Sequence, residues 1–189
     1  MKKVDTGIEG LWVIEPQKFG DARGFFMETY HKKKFAELGL PTNFVQDNHS
    51  RSARGILRGL HFQKPNAQGK LVRCTRGAVY DVAIDIRPES KTFGKYFGLE
   101  LSEENAVMFY IPPGFAHGFY TLSDVADFQY KCTELYSPQD EGGLAWNDPA
   151  IGIKWPLIDG EKPLLNDRDS KFPTLAELKA SGRLNGSFF

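Results

Sequence analysis

The chain has little cysteine and no excess charge of either sign. Its two cysteines, Cys74 and Cys132, lie far apart without a CxxC or other metal-ligand spacing, which predicts two buried core thiols in a reducing compartment. Lys plus Arg equals Asp plus Glu at 24 each. This balance excludes a general positive field of the kind that gathers nucleic acid or acidic membrane, so any anion site must be local.

Long apolar runs are also missing. No stretch approaches the roughly 18 apolar residues that suggest a membrane span. Asp5 and Glu9 interrupt the N-terminal segment before any run of signal-peptide length. We therefore expect a cytoplasmic protein with neither a membrane nor a nucleic-acid partner.

What the chain does have is aromatic and turn residues. The 15 Phe, 19 Gly and 11 Pro among 189 residues favour short strands and tight turns over long helices. Without an internal repeat or a linker-like run, we expect one domain over residues 1–189, built as an antiparallel sandwich or barrel. The segment 137–173 is rich in Pro, Asp and Gly and is interpreted as a long ordered loop that crosses the barrel.

Turn signals separate the predicted strands and helices. Strands are predicted at 11–15, 25–30, 55–63, 70–75, 77–86, 96–101, 105–111, 118–121 and 126–136. Peripheral helices are predicted at 31–38, ended by Gly39, and at 174–181, which begins with a capping box from Thr174 to Glu177 and stops at Gly182.

Alternation within two predicted strands places polar groups on interior faces. In 126–136, Tyr130 and Tyr136 share one face and are expected to look into the same space. In 70–75, Lys70 shares a face with Val72 and Cys74, so a lysine ends an otherwise apolar row. A lysine at such a position requires an explanation.

Two histidines occur in patterned segments. His117 lies in IPPGFAHGF (111–119), a turn followed by a strand that resembles the second motif of the cupin barrels. Metal-binding cupins add a His-x-His pair and a glutamate, whereas this chain offers a lone His61. Two imidazoles without a carboxylate make a poor metal site, so no metal and no cofactor is predicted.

If side chains alone transfer protons, they must supply a base, an acid and a group that stabilises negative charge. His61, Tyr130 and Lys70 suit these three roles, and Asp169 is a candidate to orient the imidazole. Arg58 and His61 have opposite parity in a regular strand. Both can face one pocket only if the strand bulges, for example at Gly59, or if Arg58 reaches in from the strand end.

Several stretches together resemble the dTDP-4-dehydrorhamnose 3,5-epimerases, which are cupin-fold enzymes of deoxysugar biosynthesis. They are FGDARGFFME (19–28), FVQDNHS (44–50), LRGLHFQ (57–63), QGKLVRC (68–74), IPPGFAHGF (111–119), YKCT (130–133) and WP (155–156). The resemblance covers about residues 10–173. It implies a mainly β, cupin-type antiparallel barrel, or jelly roll, with a few short peripheral helices.

The resemblance also implies roles. His61 would remove protons alpha to the C4 keto group of a dTDP-linked 4-keto-6-deoxyhexose, Tyr130 would be the acid on the opposite ring face, and Lys70 would stabilise the enolate. Asp169 would pair with His61. The implied substrate contacts are Arg23, Glu28, Gln46, Asn48, Arg58, Lys70, His117, Tyr136, Glu141 and Arg168, with Tyr136 stacking on the thymine.

Two further points follow from the resemblance. The family commonly has lysine where this chain has Arg168; both side chains can meet a phosphate, with different geometry. The family is homodimeric, and the strand that carries Arg23 and Glu28 can serve either its own pocket or that of the partner.

Other interpretations remain open at this point. Arg23 could pair with Asp21 or Glu28 on a solvated surface, Tyr136 could be a core residue, and the basic run 31–34 is interpreted as the solvent face of a helix. The alternative functions are an epimerase of C3 or C5 alone, a keto-sugar isomerase, a non-catalytic sugar-nucleotide-binding cupin and a metal-dependent cupin oxygenase.

Overall fold

A computed structural model describes residues 1–188, which form mainly short antiparallel strands. The strands are β1 (Lys2–Asp5), β2 (Trp12–Glu15), β3 (Lys18–Asp21), β4 (Gly24–Met27), β5 (Gln46–Ala53), β6 (Leu57–Gln63), β7 (Lys70–Arg76), β8 (Ala78–Asp85), β9 (Tyr96–Ser102), β10 (Met108–Ile111), β11 (Phe115–Thr121), β12 (Val125–Cys132) and β13 (Glu141–Gly143). Helices α1 (Lys32–Glu37) and α2 (Leu175–Ala180) complete the regular structure, with 3₁₀ turns at Pro138–Asp140, Ile158–Gly160 and Asp169–Lys171.

The strands form two large sheets and a separate ribbon. One sheet has the order β1-β2-β10-β7-β12-β5, the other has the order β13-β6-β11-β8-β9, and β3 pairs with β4. Apolar residues from both large sheets share one core cluster, in which the rings of Phe119 and Phe128 stack with centroids 4.3 Å apart. The antiparallel, mainly β jelly roll predicted from the sequence is confirmed.

Both helices lie on the outside of this barrel, as predicted. In α1, Phe35 is fully buried against a cluster that contains Ile14 and Leu71 of the six-stranded sheet. In α2, the capping box is present, because Thr174 and Glu177 each bond the backbone N–H of the other. The helices therefore cover outer faces of the two sheets and leave the interior to the strands.

Strands β1, β3, β5 and β13 were not predicted from the sequence. The strand predicted at 126–136 was too long, because β12 ends at Cys132. After Cys132, the backbone of Leu135 and Ser137 forms hydrogen bonds with the side chain of Gln63. These replace the hydrogen bonds that a neighbouring strand would make if the sheet continued. The predicted loop at 137–173 contains β13, which pairs with β6.

Both cysteines are free and buried, as predicted. Burial raises the pKa of the Cys74 thiol to about 11, although its contact with the Arg76 carbonyl acts in the opposite direction. Among residues 1–188, no helix has the length and apolar character needed to cross a membrane.

Candidate active site

A cavity of about 340 Å³ opens between the two large sheets. Strands of both sheets contribute to its wall, together with the chain that follows β12. The lining residues are Gln46, Asn48, Ser50, Arg58, His61, Gln68, Lys70, His117, Gly118, Phe119, Phe128, Tyr130, Tyr136, Glu141 and Arg168. Most of the residues that the sequence singled out are therefore in one place.

The register of the six-stranded sheet explains one wall. Lys70 and Gln46 are the two partners of Cys132, so these three side chains form one row on the inner face. Tyr130 is paired with Asn48 in the next inward row. The polar side chains at the ends of β7 and β12 therefore point into the barrel.

The opposite wall depends on an irregularity in β6. His61 is paired with His117 and Arg58 with Phe119, so two residues of β6 lie opposite the single residue Gly118. This bulge turns Arg58 to the same side as His61. Of the two ways to reconcile their parity that the sequence left open, the structure shows the bulge.

Glycine is required at the bulge. Gly59 has a φ of +124°, and a Cβ atom there would lie 2.6 Å from the Cα of Gly118 and 2.9 Å from the carbonyl oxygen of His117. The peptide bond that joins Gly59 to Leu60 is cis. Any side chain at this position would push β6 away from β11 and displace the residues on either side of the bulge.

His61 and Asp169 form a dyad in which the carboxylate is buried. The Nε2 atom of His61 lies 2.9 Å from Oδ1 of Asp169, and the other carboxylate oxygen accepts the Gly59 N–H at 2.9 Å. Burial alone would raise the pKa of Asp169, but these hydrogen bonds and the nearby imidazole and Arg168 lower it below its usual value. A carboxylate only accepts hydrogen bonds, so Nε2 carries the proton and Nδ1 is the nitrogen left to receive another.

Lys70 is enclosed by the barrel but reaches the cavity. Within residues 1–188, no side chain or carbonyl lies at hydrogen-bond or ion-pair distance from its ammonium group. Burial lowers the pKa of Lys70, against the opposing influence of Cys132, Glu141 and Asp81. An enclosed cation with free donors can stabilise a negatively charged oxygen in the cavity strongly.

Tyr130 faces the cavity from β12, and burial raises the pKa of its phenol. The hydroxyl is therefore protonated at neutral pH and can donate a proton. Arg58 approaches from β6, with Nε 2.8 Å from the Ser52 hydroxyl and Nη2 3.1 Å from the Arg51 carbonyl oxygen. These bonds fix the guanidinium at the mouth of the cavity.

Three linked side chains form the outer rim. The Tyr136 hydroxyl donates to Oε2 of Glu141 at 2.9 Å, and Arg168 forms an ion pair with the same carboxylate. The Nε atom of Arg168 also donates to Oδ1 of Asp169 at 3.4 Å, so the rim is connected to the dyad through its carboxylate. Tyr136 and Tyr130 both line the cavity, which confirms that they look into the same space.

Sequence reasoning missed Asp81. It is fully buried and lies 2.9 and 3.0 Å from Nε2 of His117, which makes a second His–Asp pair beside the cavity. Burial raises the pKa of Asp81, and the charges of His117 and Lys70 only partly offset this. The available signal was a carboxylate in the middle of the otherwise apolar strand β8, at the position paired with Phe119.

Arg23 and Glu28 do not line this cavity. Arg23 lies at the turn between β3 and β4 and pairs with Asp21, which is one of the alternatives that the sequence left open. Glu28 forms an ion pair with Lys34 at 2.7 Å. Within residues 1–188, no group of three His, Cys, Asp or Glu side chains is placed to hold a metal ion.

Comparison with known proteins identifies the family. Residues 5–177 match the family model described as dTDP-4-dehydrorhamnose 3,5-epimerase. The protein of that name from Salmonella typhimurium is 54% identical over 174 residues, which cover 91% of this chain and 94% of that one.

Solved structures agree with the match. The dTDP-6-deoxy-D-glucose-3,5-epimerase of Legionella pneumophila, in complex with dTDP-4-keto-L-rhamnose, superposes with a TM-score of 0.91 at 49% identity and 95% coverage of both chains. A 3'-monoepimerase from Streptomyces bikiniensis, in complex with dTDP-quinovose, gives 0.88 at 37% identity, covering 94% of this chain and 89% of that one. The chain therefore belongs to the dTDP-4-dehydrorhamnose 3,5-epimerase family.

Proposed function

We propose that this protein epimerises C3 and C5 of dTDP-4-dehydro-6-deoxy-D-glucose to give dTDP-4-dehydro-L-rhamnose. The observation that carries the proposal is that His61 and Tyr130 face one cavity from opposite sheets, with Lys70 also reaching it. Epimerisation requires that a proton leaves one face of the sugar and another arrives on the opposite face. A base and an acid on opposite walls meet that requirement.

The first step is removal of a proton alpha to the C4 keto group. Nδ1 of His61 takes this proton, while the C–H bonding electrons pass into the enolate. Asp169 holds Nε2–H and stabilises the imidazolium that forms. Family resemblance and the dyad geometry support this assignment.

The enolate oxygen then carries the negative charge. Lys70 is suited to stabilise it, because its ammonium group has no competing partner within residues 1–188 and lies in an enclosed site. The cation is in place before the charge develops, so little reorganisation is needed during the reaction.

Reprotonation comes from the other wall. Tyr130 donates its phenolic proton to the ring carbon on the face away from His61, and the electrons of the enolate form the new C–H bond. The same pair of groups serves C3 and C5 in turn once solvent has returned the proton to Tyr130 and removed one from His61. Side chains alone supply the base, the acid and the stabilising cation.

The rim is suited to the nucleotide part. We assign thymine stacking to Tyr136, which is 49% exposed and whose hydroxyl is fixed by Glu141. Arg58 and Arg168 supply the positive charge for a diphosphate. Gln46 and Asn48, hydrogen-bonded to one another at 3.0 Å, complete the polar wall.

We also propose a homodimer. The β3–β4 ribbon exposes Phe19, Phe25 and Phe26, at 56%, 58% and 71%, and pairs with no other strand within residues 1–188. A second copy of the chain would cover these rings. Arg23 of the first copy would then lie near the cavity of the second copy. Light scattering should give a mass twice that of the chain, and Phe26→Ser should lower the measured mass toward that of the monomer. A monomeric parent protein would contradict the proposed homodimer.

The activity is tested by incubating the protein with dTDP-4-dehydro-6-deoxy-D-glucose in D₂O and following deuterium entry by proton NMR. We expect exchange at both C3 and C5. Exchange at C3 alone would instead indicate a 3'-monoepimerase, like the Streptomyces bikiniensis protein. Binding of dTDP without exchange at either carbon would refute catalysis and leave a sugar-nucleotide-binding protein.

A further inference from the structure

Gln63 uses its whole side-chain amide inside the protein. The residue is 5% exposed and lies on β6, two positions after His61. Its Nε2 donates to the carbonyl oxygens of Asn66 at 2.7 Å and Leu135 at 3.1 Å. Its Oε1 accepts the backbone N–H of Ser137 at 3.0 Å. Both N–H donors and the carbonyl are thus engaged.

Two of these bonds are to the residues that flank Tyr136. The Gln63 amide therefore holds the chain immediately before and immediately after that residue, while Oε1 of Gln46 accepts the Tyr136 N–H at 2.8 Å. In addition, the backbone of Gln63 pairs with Glu141, whose carboxylate accepts the Tyr136 hydroxyl. Gln63 thus supports both ends of the tyrosine.

We propose that Gln63 is a positioning residue that holds Tyr136 in the orientation needed to bind the nucleoside part of the substrate. The proposal rests on the function proposed above, in which Tyr136 meets the base. Gln63 itself does not line the cavity. It acts on the half-exposed ring through the backbone, so its effect belongs to nucleotide binding and not to proton transfer.

Glutamine is suited to this position by length and by chemistry. A glutamate would keep the length but lose both donors and bury a charge. A methionine would match the length and apolar volume but would leave two carbonyl oxygens and one N–H without their partner. A segment with three unmet backbone groups can lower its free energy by moving toward solvent, which would carry Tyr136 with it.

Gln63→Met is the variant that tests the proposal, and Gln139→Met is its control, because Gln139 lies on the same segment with an exposed side chain. Titration calorimetry with dTDP and steady-state kinetics with the keto-sugar nucleotide give the two readouts. We expect Kd and KM to rise about tenfold, with kcat within about twofold of the parent value. The control should keep the parent Kd and KM.

A double variant separates positioning from general destabilisation. Tyr136→Ala should weaken dTDP binding by itself, and adding Gln63→Met should weaken it no further, because the two changes act through one contact. Gln63→Asn, which keeps the amide but is one methylene shorter, should show the same pattern and replaces the methionine variant if circular dichroism shows that the latter is unfolded.

The outcomes separate this proposal from the proposed function. If the parent protein binds dTDP but Kd is unchanged in both folded Gln63 variants, or if kcat falls while KM stays constant, the positioning role is wrong and the epimerase assignment is untouched. If the parent protein neither binds dTDP nor exchanges deuterium, the proposed function itself fails.

Discussion

Asp169 is 1% exposed and holds His61 from a segment 108 residues further along the chain. The partner strand of His61 does not supply this carboxylate. It comes from a 3₁₀ turn in the long segment after β12, which crosses back over β6. The dyad therefore depends on that segment being ordered, and its hydrogen bond to the Gly59 N–H fixes the carboxylate at the bulge.

Asp169→Asn should lower kcat on the order of 10²–10⁴-fold, because the amide can present its N–H to His61 and favour the tautomer that has no free acceptor toward the cavity. The dTDP affinity should change little. Steady-state kinetics and calorimetry measure both. Asp167→Asn, in an exposed position of the same segment, is the control. A kcat equal to that of the parent protein would remove Asp169 from the mechanism.

Lys70→Met should make the protein more stable and less active. The enclosed ammonium has a pKa lowered by burial and no partner within residues 1–188, so its removal should raise the free energy of unfolding at pH 7. Loss of enolate stabilisation should lower kcat about 10²–10³-fold. Urea unfolding and kinetics measure the two effects.

The pH dependence of this gain has a definite sign. A lysine with a lowered folded-state pKa destabilises the protein below that pKa. The difference in free energy of unfolding between Lys70→Met and the parent protein should therefore shrink as pH rises toward the ordinary lysine pKa of 10.5. Lys95→Met, at an exposed position, should bring no comparable gain. A less stable Lys70→Met protein would show that the ammonium has a stabilising partner.

The sequence predicted most of the barrel and most of the side chains that the structure brings to the cavity, but it did not predict strand β5, which forms part of the cavity wall. Strand β5 reads Gln-Asp-Asn-His-Ser-Arg-Ser-Ala and has no apolar face, because Gln46, Asn48 and Ser50 point into a polar cavity. Strand prediction relies on an apolar inward face, so a strand that lines a binding site carries no such signal.

Contacts between distant segments were harder still. Asp169 was proposed as a partner of His61 mainly through family resemblance. Asp81 was not recognised, because the sequence of an apolar strand does not show which distant side chain its carboxylate contacts. Gly59 was different. Its place between two residues of opposite parity gave a geometric reason for a bulge, and the register of β6 and β11 confirms it.

The two cysteines should be unreactive in the folded protein. Cys74 and Cys132 are 3% and 0% exposed, and the pKa of Cys74 is raised to about 11 by burial, so little thiolate is present at pH 7. Maleimide labelling followed by mass spectrometry should show no addition under native conditions and two additions in denaturant. Rapid native labelling of either thiol would mean that the barrel opens locally.

Asp127 should contribute to acid sensitivity. Hydrogen bonds from Arg51 at 2.7 and 2.8 Å, only partly offset by burial, lower the pKa of this carboxyl to about 2, with a smaller contribution from His49. A lowered folded-state pKa gives stability that is present above the unfolded value of 3.8 and is lost as pH falls toward about 2.

Denaturant unfolding of the parent protein and of Asp127→Asn between pH 7 and the acid limit tests this. The stability difference should be constant near neutral pH and should shrink below the unfolded pKa. Asp124→Asn on the same hairpin, whose side chain is 92% exposed, should show no such trend. A difference that is independent of pH would mean that the Arg51 contact is not electrostatic in origin.

Tyr130→Phe should separate the two halves of the reaction. His61 and Lys70 remain, so proton removal and enolate formation should continue, and deuterium should still enter from the His61 side of the sugar. Delivery from the opposite face requires the missing hydroxyl, so formation of the epimerised product should fall on the order of 10²–10⁴-fold. Proton NMR in D₂O distinguishes exchange with retention from epimerisation.

Tyr80→Phe, on the five-stranded sheet and packed against Trp155, is the control and should behave as the parent protein. If Tyr130→Phe gives the parent ratio of products, the proton reaches the sugar by another route and Tyr130 is not the acid; if exchange stops together with epimerisation, the hydroxyl is required for proton removal itself.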